Sequence, residues 1–121
     1  MDKFIYHIAT EKDLFNALKV GYYTADSLIS EGFLHCSTRE ELLNTANRIF
    51  KNKQDLYLLE LNSVNIEAKT IYENTSGGTI LYPHIYGKLN LNAIHKSYHF
   101  GQDEAGNFVF PKPSDSIALD Y

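Results

Sequence analysis

Apolar and polar residues alternate from the start of the chain. Phe4, Tyr6 and Ile8 fall on one side of an extended segment, and Ile5, His7 and Ala9 on the other. The spacing predicts a strand over residues 4–9 with a histidine between two apolar neighbours. After Thr10 the period becomes helical: Leu14, Ala17 and Leu18 recur on one face. Thr10 suits the N-cap, Glu11 and Asp13 suit the positive end, and Gly21 is a natural stop. A short helix is predicted over residues 25–31, ended by Gly32, and a second strand over residues 33–37. Thr38 and Glu41 then form a capping box ahead of the longest apolar stripe, Leu42, Leu43, Ala46, Ile49 and Phe50.

Residues 52–55 form a polar turn. Leu56 to Leu61 is apolar at nearly every position, as in a strand buried on both faces, with Glu60 as its interruption. A strand is predicted over residues 69–73. Thr75-Ser76-Gly77-Gly78 reads as a loose loop. Residues 83–87 read as a compact irregular segment because Pro83 opens them. A late strand covers residues 91–100, a turn residues 103–107, and Phe108 to Phe110 pairs back. Two prolines mark residues 111–121 as a surface tail. The expectation is one globular domain over residues 1–110 with that tail. Its class is α+β, a curved, mostly antiparallel sheet with two or three helices.

Composition narrows the function. The chain has 121 residues, 44% of them hydrophobic and 21% charged, enough for a core without metal or disulfide support. A net charge of -4 argues against general affinity for nucleic-acid backbone. No apolar run is long enough to span a membrane. Cys36 is the single cysteine, so no intrachain disulfide can form. No apolar leader follows Met1-Asp2-Lys3. A cytoplasmic location is expected.

Three histidines interrupt apolar segments: His7, His35 and His84. In a strand, His35 and Ser37 share a face and Cys36 points away from it. His35 and Ser37 can therefore meet one ligand, while Cys36 reads as an inert core thiol. Each histidine alone is also compatible with a buried ring satisfied by a backbone carbonyl; their recurrence favours a shared cleft, with Tyr86 close to His84. Glu73 ends a strand and could serve as a base or stabilise a cation. There is no His-x-x-x-His and no Cys-x-x-Cys, so no metal is expected. The chain also lacks a phosphate loop, a nucleophile elbow and a dinucleotide glycine fingerprint.

Several motifs, in order, resemble one mainly bacterial family, the domain of unknown function 952. They are Ile5-Tyr6-His7-Ile8-Ala9-Thr10, Gly21-x-Tyr23, Ser27-Leu28, Glu31 to Thr38, Asn47-Arg48, Asp55 with the strand after it, Tyr72-Glu73, and Pro83-His84-Ile85-Tyr86-Gly87. More distantly, the chain resembles the ADP-ribosyltransferase superfamily. Members begin with a strand bearing His-x-Thr, followed by a helix, a glycine and a strand carrying His-x-Ser. The counterparts here are His7 with Thr10, one residue further apart than usual, and His35 with Ser37. That resemblance implies an ADP-ribosyltransferase-like fold and a cleft for NAD or another nucleotide or ribosyl ligand. It implies ADP-ribosyl transfer or glycohydrolysis, with His35, Glu73 and His84 catalytic and His7, Thr10, Ser37 and Tyr86 binding ligand. A carboxylate, here Glu73, would stabilise the oxocarbenium-like centre. Two other classes stay open: a non-catalytic ligand-sensing or interaction domain, and a small hydrolase with histidine as general base.

Overall fold

The structure, a computed structural model, describes residues 2–119. Nine strands and three helices follow one another among them. The strands are β1 (Phe4–Thr10), β2 (Tyr22–Tyr23), β3 (Leu34–His35), β4 (Leu56–Asn62), β5 (Lys69–Glu73), β6 (Tyr82–Tyr86), β7 (Leu89–Asn90), β8 (Ile94–Phe100) and β9 (Ser116–Ile117). The helices are α1 (Glu11–Val20), α2 (Asp26–Ser30) and α3 (Arg39–Ile49). The class is α+β with antiparallel sheets, not closed into a barrel.

β4 organises the core. It lies between β1 and β8 in a sheet of order β1-β4-β8-β9, with both faces covered. On one face Ile5, Ala9, Leu59 and Leu61 pack with Leu14 and Ala17 of α1. On the other, Tyr6, Leu58, Tyr98 and Phe100 pack with Leu42 and Ala46 of α3. The strict alternation of β1 follows from this: each parity meets its own core. Each fully buried leucine here contributes roughly 1.5–3 kcal/mol of transfer free energy.

Local chemistry sets the helix ends. The Thr10 side chain accepts from Asp13 N at 3.2 Å, and the Thr38 side chain accepts from Glu41 N at 3.3 Å. Gly21 closes α1 at φ 93°, a left-handed conformation that favours glycine, and its N–H donates to the Ala17 carbonyl.

A second sheet of order β3-β6-β5 carries the site, and β2 pairs with β7 beside it. Several segments differ from expectation. The late strand starts at Ile94, after a 3-10 turn over Leu91–Ala93, and of Phe108 to Phe110 only Phe108 bridges back, to Gln102. Residues 82–86 are not irregular but form the central strand β6. The Pro83 carbonyl accepts from Cys36 N at 3.1 Å, so the proline ring nitrogen faces the end of short β3 and no bond to β5 is lost. β3 is only two residues long; Ser37 leaves it and bridges to Tyr6 of β1 instead. Within the segment read as a tail, β9 pairs with β8 at the sheet edge, and Leu119 packs on the core. Residues 120–121 lie outside the described part. No helix among the described residues is long and apolar enough to cross a membrane.

Candidate functional site

A cleft of about 660 Å³ opens between β1, α2, the β3–β6 pair, the C-terminal half of α3 and the loop after β5. His7, His35, Ser37 and His84 all line it. Three distant segments converge because β6 pairs with β3, which sets His84 directly opposite His35. The Ser37–Tyr6 bridge then brings β1 alongside.

His7 is buried, with both ring nitrogens bound. Its Nδ1 lies 2.6 Å from the His35 carbonyl and its Nε2 lies 2.7 Å from the Tyr23 hydroxyl. Burial pushes its pKa from 6.5 down to about 4, against the pull of the His35 carbonyl. The ring is therefore neutral near pH 7. A carbonyl can only accept, so Nδ1 carries the proton and Nε2 accepts from Tyr23. Both nitrogens are occupied by protein groups. His7 acts by fixing the backbone of His35.

His35 and His84 are the rings that remain for a ligand. His35 is half-exposed, and its Nε2 lies 2.8 Å from Glu31 Oε2. His84 is buried, and its Nδ1 lies 2.9 Å from Glu73 Oε2. The same carboxylate oxygen accepts the Tyr86 hydroxyl. These bonds from Tyr86 and His84 hold the Glu73 carboxyl below its ordinary value of 4.5, and the phenol of Tyr86 is raised in turn. Phe33 stacks on the His84 ring, with centroids 4.0 Å apart and planes 15° from parallel. With Nδ1 donating to Glu73, His84 presents Nε2 as the group able to take or give a proton.

Glu73 and Tyr86 are not among the residues on the cleft wall; they reach it through His84. Thr10 caps α1 and is not on the wall either. Cys36 borders the cleft, but its side chain is buried in the core, where desolvation raises the thiol pKa. Among the described residues, no group of three metal-ligating side chains gathers.

Several wall residues were not read from the sequence as site residues. Thr45 and Arg48 enter from α3 and Lys53 from the turn after it. Thr75 and Ser76 line the cleft as well. Their loop is ordered by Asn74, whose Oδ1 accepts from Ser76 N and Gly78 N, both at 3.0 Å. A Cβ on Gly78 would lie 3.0 Å from the Asn74 amide, so glycine permits the turn. An Asn followed by Ser and two glycines was the available signal.

A profile of the family described as Protein of unknown function (DUF952) matches residues 8–97. The chain belongs to this family. The match takes in β1 from Ile8 through most of β8, so it includes His35, Glu73 and His84. The fold is also similar to that of protein CC0527 from Caulobacter crescentus. Its X-ray crystal structure gives a TM-score of 0.78 at 23% identity, covering 88% of this chain and 93% of that one. Its solution NMR structure gives 0.76 at 23% identity, covering 88% and 91%. No curated protein matches the chain.

Proposed function

We propose that this protein binds a nucleotide or other ribosyl ligand, NAD among the candidates, in the His35–His84 cleft and cleaves its glycosidic bond. The observation that carries the proposal is the Glu73–His84 pair, with a buried imidazole on the cleft wall oriented by a carboxylate. The ribosyl part rests on the resemblance of His7 and His35-x-Ser37 to ADP-ribosyltransferases. In hydrolysis of NAD, water attacks the anomeric carbon as the bond to nicotinamide breaks. Nicotinamide leaves with the bonding electrons, and His84 Nε2 takes the proton of the water. His35 and Ser37 face the ribose hydroxyls. Glu73 keeps the His84 tautomer and stabilises the imidazolium once formed.

A second reading has one observation in its favour. Glu73 is engaged by His84 and Tyr86 and reaches the cleft only through His84. That arrangement equally serves a hydrolase with His84 as general base acting on a bond other than an N-glycoside.

Thermal-shift titration with NAD, ADP-ribose, nucleotides and sugar phosphates, followed by chromatography of products, tests both. A ligand bound only by the native state at about a hundred times its Kd adds about 2.7 kcal/mol and raises Tm. NAD should do so and yield nicotinamide, and His84→Asn should bind without turnover. Turnover of a different ligand favours the second reading. Binding without any turnover makes the domain a sensor, and no shift with any of them overturns the proposal.

A further inference from the structure

The cleft holds two cations that the acid–base chemistry at His84 does not use. Thr45, Arg48 and Ile49 stand at i, i+3 and i+4 on α3, so they form one side of the helix. That side faces the cleft, while Leu42 and Ala46 face the core. Lys53 adds a second cation from the turn after α3, its ammonium 5.6 Å from the centre of the Phe50 ring. Among the described residues, neither Arg48 nor Lys53 is in an ion pair; the pairs present join His35, His84 and His95 to glutamates. Asp26 and Glu31 line the cleft as well, but Glu31 is taken by His35. A cation in the last turn of a helix is stabilised by the helix dipole. That accounts for Arg48 being basic, not for a second unpaired cation on the same wall.

One further feature favours an anion with several acceptor oxygens. The loop with Thr75 and Ser76, on the same cleft, is held in place by Asn74 before any ligand arrives. A preformed turn costs little ordering entropy on binding.

We propose that Arg48 and Lys53, with Ser76, form a phosphate subsite of the cleft, separate from the His35–His84 end. A guanidinium and an ammonium on one wall suit a phosphate or diphosphate group, with Arg48 supplying a planar pair of donors and Lys53 a point charge. This deepens the nucleotide reading and rests on it for the rest of the ligand: the phosphate sits at Arg48 and Lys53, and the ribose reaches His35 and His84.

Inorganic pyrophosphate is the probe. Its affinity is measured by calorimetry for the intact chain, for R48Q/K53Q and for H84N, at low and high salt. Arg48 is exposed and Lys53 is exposed, so R48Q/K53Q should keep the melting temperature of the parent. The expected result is binding that weakens with salt and falls at least about tenfold in R48Q/K53Q. In H84N it should stay within about twofold, because His84 bonds to Glu73 and not to Arg48 or Lys53. Absence of pyrophosphate binding to the parent, or equal binding by R48Q/K53Q with its fold intact, overturns the subsite. The nucleotide reading fails separately, if NAD binds no better than pyrophosphate while R48Q/K53Q still abolishes both. That outcome supports the subsite.

Discussion

Glu73 Oε2 lies 2.9 Å from His84 Nδ1 and accepts the Tyr86 hydroxyl at the same time. One carboxylate oxygen thus joins a buried ring to an exposed phenol. Tyr86 and His84 together depress the Glu73 carboxyl below 4.5. A carboxyl depressed in the folded state adds stability above its unfolded pKa and loses it as pH falls through the folded one. The stability advantage of the parent over Glu73→Gln should therefore be full near neutral pH and shrink below 4.5. Urea midpoints of both proteins across that range measure it. A constant gap down to about pH 2 would mean the carboxylate charge is not what the pair uses.

His7 has the opposite chemistry and the same sign. Its ring is neutral when folded, with a pKa near 4 against 6.5 unfolded. The unfolded chain therefore binds the extra proton between these values, and stability falls as pH drops from 6.5 to 4. At 1.36 kcal/mol per unit the loss is about 3 kcal/mol. His7→Gln should flatten that slope. His7→Ala should cost about 2–4 kcal/mol at pH 7, because the Tyr23 hydroxyl and the His35 carbonyl lose their partner. Chemical denaturation against pH reads both effects.

His35 should behave differently. Its side chain is half-exposed and its pair with Glu31 spans one turn of surface. His35→Ala should change stability by under about 1 kcal/mol. Ligand affinity should drop by about tenfold to a hundredfold, the loss of one bond of about 1–3 kcal/mol. Denaturant midpoint and affinity measured on the same variant separate the two. A destabilised variant with unchanged affinity would make His35 a structural residue only.

Cys36 should be inert. The thiol is buried and its ionisation is disfavoured by desolvation. Native protein should react with a maleimide on the order of a thousandfold slower than unfolded protein, at a rate set by opening of the fold. Fast labelling without denaturant would place the thiol at the cleft surface.

Local pattern was a sufficient guide wherever one segment meets one environment. The two parities of β1 meet two cores, Thr10 and Thr38 cap the helices that follow them, and the apolar run of β4 lies between two neighbouring strands. The shared cleft of His7, His35 and His84 was also legible, since a polar residue on an apolar face needs a partner. Partners were not legible. Pro83 made β6 look irregular because a missing N–H argues against a central strand, and only the pairing with Cys36 shows where that gap falls. β9 is too short to carry a period, and it exists because β8 offers an open edge. His7 turned out to be bound at both nitrogens, by Tyr23 and by a backbone carbonyl, and neither bond leaves a trace in spacing. Arg48 stood in the sequence only within the Asn47-Arg48 motif, and its place on the cleft with the loop at Asn74 depends on the tertiary structure. Sequence determines which side of each element must leave water, because that depends on residues a few positions apart. Which sides then meet, and so which nitrogen of His84 meets Glu73, depends on pairings between residues far apart in the chain, and only the tertiary structure decides them.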